Sequence, residues 1–296
     1  MIRQQQLTLP ETTLHIVEAG DPSHPGILLL HGFPDCHDVW QAQIAGLSAN
    51  YHVISFDMRG TGNSTPPVGK DGYRMPALMR DIDQVITATR GAQGQVHMAG
   101  HDWGSIIGWS FVADATYGRR VLSWTSFSGP HMGRAIGWVL DGIRLGDRAT
   151  RQAALAQLAH SWYMLAMNIP GAGRAVLSIG GRSLWQTALR LGGVPKGSSH
   201  LQRSRQEVRQ LTLNSFRLYQ QNIFTPPPAP APGSIRIPCQ LVTLTEDIFL
   251  QPEVCAAMAP LCQQLRRVNI QANHWAPVSA PEAVTRTLTE FLAMHH

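Results

Sequence analysis

The chain has 296 residues, 44% of them apolar and 15% charged, which excludes a disordered chain and is enough to bury a large core. Twenty-four Lys and Arg against 19 Asp and Glu leave a net charge of +5, so binding to nucleic acid or an acidic membrane turns on where those charges sit. The polar start Met1-Ile2-Arg3-Gln4-Gln5-Gln6 has no apolar run of signal-peptide length behind it. The longest uncharged stretch, Gln152 to Gly173, contains Gln157, His160, Asn168 and Pro170, and reads as a buried or cap helix, not a membrane span. Cys36, Cys239, Cys255 and Cys262 show no metal-ligand spacing. The expectation is a soluble, cytoplasmic protein, monomer or homodimer, with no metal and no cofactor.

In chain order, Gln6–Leu9 and Leu14–Val17 predict an N-terminal hairpin. Gly26–Leu30 and His52–Phe56 are short apolar runs bounded by turn residues, as buried parallel strands are. Met75, Leu78, Met79, Ile82, Val85 and Ile86 keep helical spacing, and Gly91 ends that helix. Gln95–Ala99 predicts a strand, a helix follows from about Gly104, and Arg120–Ser126 predicts the next strand. Such β-α-β repetition implies an α/β fold with a mostly parallel sheet between helices. From Gly129 to Tyr219 only helical periodicity is found. The Pro-rich Thr225–Pro232 reads as a stiff extended linker. Then Cys239–Leu244 predicts a strand, Pro252–Ala259 a helix, Arg267–Gln271 a strand and Pro281–His296 a terminal helix. The organisation is a core at 1–129, a helical cap at 130–225 and the rest of the core at 226–296.

The cap divides the charge. Between Gly129 and Tyr219 stand twelve Lys and Arg against three acids, a surplus of nine that leaves the remainder at −4. Nucleic-acid binding is not expected. A solvated basic face accounts for the cap, and peripheral contact with anionic lipid through Trp138, Trp162 and Trp185 is the sharper alternative.

Val96–Gly100, His101, Asp102, Trp103, Gly104 and Ser105 predict a strand, a sharp turn and a helix. Glycines two before and two after Asp102 let the turn pass without collision and leave the central side chain exposed at the strand end. A helix-capping aspartate is the plainer account of Asp102. A carboxylate there is ionised at neutral pH and attacks without a base, giving an ester whose hydrolysis needs an activated water and oxyanion donors. His274 follows the last predicted strand and Asp247 follows Cys239–Leu244. The order Asp102, Asp247, His274 is that of nucleophile, acid and histidine in α/β-hydrolases. Glu246 is the nearest competitor of Asp247. Gly32-Phe33-Pro34 after the strand at Gly26–Leu30 aims the Phe33 amide toward Asp102, with the Trp103 amide as partner; the plainer account is a strand-ending turn.

Together His31-Gly32-Phe33-Pro34, Asp57-Met58-Arg59-Gly60-Thr61-Gly62, Gly100-His101-Asp102-Trp103-Gly104, Val242–Leu250 and His274-Trp275 resemble the epoxide hydrolases of the α/β-hydrolase fold. The resemblance implies an epoxide substrate, hydrophobic or lipid-like, with Asp102 as nucleophile, His274 as base for water and Asp247 as its charge partner. It also implies cap tyrosines that donate to the epoxide oxygen. Tyr163, followed by Pro170-Gly171, matches the first; its plainer account is packing beside Trp162 and Met167. Leu213-Asn214-Ser215-Phe216-Arg217 matches the segment of the second, but with Phe216 in the tyrosine slot. Tyr163 alone, or Tyr219 one turn along, would then serve. Asn63, where an aspartate is common, is expected to be structural. His31, Pro34, Phe216, Tyr219 and Trp275 are expected to line the pocket. Haloalkane and haloacid dehalogenases share the aspartate, but carry asparagine where Phe33 stands or arginine where Trp103 stands. A non-catalytic binding protein on the same fold is the remaining alternative.

Overall fold

The computed structural model describes residues 2–169, 171, 175 and 180–295. The strands are β1 (Ile2–Thr8), β2 (Thr13–Ala19), β3 (Gly26–Leu30), β4 (His52–Phe56), β5 (Val96–His101), β6 (Val121–Phe127), β7 (Ile235–Leu244) and β8 (Cys262–Ile270). They form one sheet in the order β1-β2-β4-β3-β5-β6-β7-β8, antiparallel at β1/β2 and β2/β4 and parallel from there on.

Side chains of a strand alternate between faces, and each face has its own apolar cluster. Leu28, Leu30, Ile54 and Phe56 pack with Ile82, Val85 and Ile86 of α2 (Met75–Arg90) and with Trp109 of α3 (Trp103–Ala113). The neighbours Ile27, Leu29 and Val53 pack on the other face with Ile44 and Leu47 of α1 (Gln41–Leu47) and with residues of the C-terminal helix. A parallel sheet covered on both faces results, with the strand C-termini free to carry a site.

Between β6 and β7 lie α4 (Met132–Leu145), α5 (Arg148–His160), α6 (Trp162–Ala166), α7 (Gly181–Leu191) and α8 (Arg205–Asn222). Asp147 N-caps α5, accepting from the Thr150 amide, and Ser204 with Glu207 forms a capping box on α8. Beyond β7 come α9 (Pro252–Ala256), α10 (Ala276–Ser279) and α11 (Pro281–Leu292).

The expected boundaries are wrong chiefly at the sheet edges. β1 begins at Ile2 and β8 at Cys262, because edge strands tolerate the polar runs Arg3–Gln6 and Gln263-Gln264 that hide them from hydrophobic periodicity. β7 begins at Ile235, with Pro238 accommodated beside a register shift. The helix expected to reach Ala259 stops at Ala256, and the last helix stops at Leu292. The uncharged stretch from Gln152 is not one buried helix: it breaks at Ser161, and Leu155 and Leu158 face solvent. Pro170 lies outside the described residues. Among the described residues, no helix is long and apolar enough to cross a membrane.

Candidate active site

The turn between β5 and α3 is tight because two glycines have no room for a side chain. A Cβ on Gly100 would meet the Gly104 backbone, and one on Gly104 would meet the Leu30 and His31 carbonyls. Asp102 sits between them at φ 52°, a conformation that L-residues avoid and that this turn imposes. Its side chain makes no cap hydrogen bond to α3, so helix capping does not account for it. Instead Oδ1 accepts from the Phe33 amide at 2.6 Å, an approach possible because residue 32 is glycine: a Cβ there would collide with the carboxylate. The Phe33–Pro34 peptide is cis. Trp103 opens α3, so its amide has no carbonyl partner one turn back.

The other carboxylate oxygen, Oδ2, lies 3.6 Å from His274 Nε2. On the far side of the ring, His274 Nδ1 donates to Asp247 Oδ2 at 2.9 Å. Asp247 is held by four donors in all: His274, the Ser128 hydroxyl at 2.5 Å, and the amides of Phe249 and Leu250 at 2.8 and 3.3 Å on Oδ1. Burial alone would raise its pKa, but the His274 charge, the hydrogen bonds of His274 and Ser128 and the Phe249 amide hold it below the usual carboxylate range. Glu246, its competitor in sequence, faces outward and accepts from Gln271 and Asn273.

His274 is buried, which disfavours its charged form, yet the carboxylates of Asp247 and Asp102 outweigh burial and lift it to about 10. Next to it His101 is pushed the other way, down to about 4, by burial and by the like charge of His274. A neutral His101 donates from Nε2 to the His274 carbonyl at 2.8 Å and so braces the loop that carries the base.

A cavity of about 650 Å³ opens over Asp102 and His274. Of the expected pocket residues, Pro34, Phe216, Tyr219 and Trp275 line it, as do Phe33 and Tyr163. His31 does not, which corrects that expectation: it is fully buried beneath the turn, accepting from the Met58 amide at 2.9 Å and donating to the Gly32 carbonyl. Phe249 lines the cavity too, stacked edge-on between Tyr163 and His274 at 5.7 and 4.9 Å.

Phe216 occupies the slot that the motif assigns to a tyrosine, and Tyr219, three residues on along the same face of α8, points into the same cavity. α8 is set in place by Asn214, whose amide donates to the Gly60 carbonyl at 2.8 Å. Tyr163 and Tyr219 meet edge to face at 6.2 Å, with hydroxyls close enough to hydrogen-bond. Burial raises both phenol pKa values, and the negative charge of Asp102 adds to this. Both hydroxyls therefore keep their protons until something more basic than a carboxylate appears.

Two contributors escape a motif reading. Ser128 holds φ 45° just beyond β6 and spends that strain on its bond to Asp247. Asp35, fully buried, accepts from Trp275 Nε1 at 2.7 Å and fixes the ring beside His274. The only signals for them were a polar residue ending a strand and an aspartate following Pro34. The backbone N–H of Asn63 donates to Asp57 at 2.9 Å. Among the described residues one group, His15, His37 and Asp57, has metal-ligand spacing. Each carboxylate oxygen of Asp57 is already taken by an imidazole Nδ1, at 3.0 and 2.7 Å.

Comparison with known proteins agrees with this fold. Residues 25–281 match the model of the alpha/beta hydrolase fold. "Probable oxidoreductase EphD" of Mycobacterium tuberculosis is 27% identical over 281 residues, 93% of this chain but 47% of that protein. The chain thus spans about half the length of the first relatives it matches. Epoxide hydrolase 3 of Xenopus tropicalis is 26% identical over 94% of this chain and 74% of its own. Among solved structures, an epoxide hydrolase of Bacillus megaterium superposes with a TM-score of 0.80 at 22% identity, covering 98% of this chain and 100% of that one. With its sheet order, its strained aspartate turn and its histidine loop, this chain belongs to the alpha/beta hydrolase fold family.

Proposed function

We propose that this chain is an epoxide hydrolase that opens an apolar epoxide to a vicinal diol through a covalent ester on Asp102. One observation carries the reading: the free Asp102 oxygen faces a cavity in which two protonated tyrosines stand ready for an alkoxide. Oδ1 is engaged by the Phe33 amide, so Oδ2 is the attacking atom. It forms a bond to an epoxide carbon as the C–O bond breaks, and the departing oxygen takes the proton of Tyr163 or Tyr219. An alkoxide is a poor leaving group without such a donor.

Esterification then changes the electrostatics of the site. Asp102 loses its charge, and with it goes part of what keeps His274 protonated. His274 can then pass its proton to the tyrosinate left by ring opening and take one from water, whose oxygen attacks the Asp102 carbonyl carbon. The negative charge that develops on Oδ1 meets the amides of Phe33 and Trp103. Collapse expels the diol oxygen, which takes the proton of the new Asp102 carboxyl, and His274 is left protonated as at the start. Asp247 stays ionised throughout and holds the ring in orientation.

A dehalogenase would share the aspartate and the histidine. Its halide needs N–H donors in the cavity and no proton. The indole of Trp103 lies behind Tyr219, whose ring it meets edge to face at 5.0 Å, and Trp103 does not line the cavity. Two hydroxyls there favour an oxygen leaving group. The test is turnover of a panel of apolar epoxides beside a panel of haloalkanes. Diol formation without halide release is expected; halide release without diol formation would overturn the proposal.

A further inference from the structure

The cap turns an apolar stripe toward solvent. On α5 the buried positions are Ala154 and Gln157, whose amide group bonds the Phe249 carbonyl and accepts from the Gln251 amide. The leucines of the same helix face out instead, the reverse of a core-facing helix. Leu155 and Leu158 are each 49% exposed, and beyond the break at Ser161, Trp162 is 69% and Leu165 54% exposed. At the other end the stripe continues back into Arg151 and Arg148. These two share a shallow surface depression with Leu155, which puts guanidinium groups and leucines on one face.

The stripe meets the cavity mouth. Trp162 and Leu184 are largely exposed and also line the cavity over Asp102, so the opening lies between apolar side chains set in solvent. Ten of the fifteen large apolar residues exposed among the described residues belong to the cap. So does essentially all the excess positive charge of the chain, twelve Lys and Arg against three acids.

Exposed leucines sharing a face with Arg148 and Arg151, in a cap whose basic residues exceed its acids by nine, are complementary to an anionic lipid surface. We propose that the cap docks on anionic bilayers, leucines and Trp162 inserted and arginines at the phosphates, with the cavity mouth turned to the lipid. Given the epoxide reading above, an apolar epoxide dissolved in the bilayer then enters the cavity without crossing water.

Flotation with phosphatidylglycerol/phosphatidylcholine vesicles, against phosphatidylcholine alone, tests this. The full chain should float with the anionic vesicles, weakly with the neutral ones, and less at high salt. A charge lying near an anionic surface is worth ~1 kcal/mol, about fivefold in affinity. Reversing Arg148 and Arg151 to Glu should therefore lower vesicle affinity at least about tenfold. Leu158→Ser with Leu165→Ser, neither in the cavity lining, should do the same. Both variants should turn over a small water-soluble epoxide at the parent rate, but lose about tenfold in turnover of one held in anionic vesicles. Absence of flotation, equal flotation on both vesicle types, or undiminished binding by the variants would overturn the proposal. So would self-association that the leucine variant abolishes while vesicles are ignored, since a second copy would then be the occupant. Flotation is read without turnover. A chain that floats as expected but opens no epoxide would end the functional reading and leave the docking surface standing.

Discussion

The shell around Asp102 and the cap above it follow opposite rules. In the shell, charged groups are buried and almost every one is answered: Asp247 by four donors, Asp57 by two imidazoles and two amides, Arg59 by a bidentate bond to Asp81 at 2.6 Å. In the cap most of the charge lies on the surface, Arg203 paired with Asp38 at 2.7 Å being an exception, and leucines face water. Buried charge needs fixed partners, so the shell is determined in detail. The cap has only to supply two hydroxyls, an apolar lining and an opening.

The largest effect should come from the shell. His274→Ala should cut turnover at least about a thousandfold while leaving alkylation of Asp102 intact, so that intact-protein mass spectrometry finds the ester accumulating. Loss of alkylation as well would mean that His274 acts before the ester forms.

Next come the two groups that the cap sends into the shell. Tyr163→Phe and Tyr219→Phe should each slow ring opening, and the double variant should lose about a hundredfold or more, read as the single-turnover rate of alkylation. A double variant that alkylates at the parent rate would remove tyrosine as the acid. Phe216→Tyr should change that rate less than about tenfold, because the pair of hydroxyls is already complete.

Ser128→Ala tests how tightly the shell is determined. It strips one donor from a buried carboxylate, a bond to a charged group worth about 1.5–3 kcal/mol, and should lower the thermal midpoint together with the hydrolytic rate of the ester. An unchanged midpoint would show that Asp247 does not depend on it.

The last effect is a difference in how stability depends on pH. His274 is raised in the folded chain from the ordinary 6.5 to about 10. Its stabilising contribution is therefore complete below pH 6.5 and is lost as pH rises toward 10. Denaturant unfolding across that window should show stability falling for the parent and falling less for Asp102→Asn, which removes one of the two carboxylates. Parallel slopes would mean that Asp102 does not hold the proton there.

The same contrast explains what could be read from sequence. The shell was legible because its chemistry restricts residue type: glycines flank Asp102 where a Cβ would strike backbone, and His274 and Asp247 each follow a strand of the sheet. Its supporting residues were not. Ser128 and Asp35 act through contacts across 119 and 240 positions of chain, for which one sequence carries no signal. His31 was misplaced for a related reason: a histidine ending a strand looks like a site residue, while its work is to close a turn against Met58. In the cap, the helices were visible but the depth of each side chain was not. Leucines at helical spacing normally mean core, and only the fold shows Leu155 and Leu158 outside it. Tyr219 stood open as a substitute for the missing tyrosine because its side chain's place depends on how α8 sits over Gly60.

The central claim is a covalent bond to Asp102, and isotope placement tests it directly. A single turnover of an epoxide in ¹⁸O-water should give an unlabelled diol and one ¹⁸O in the Asp102 carboxylate, located by peptide mass spectrometry. Label in the diol, with Asp102 unlabelled, would mean that water attacks the epoxide itself and that no ester forms.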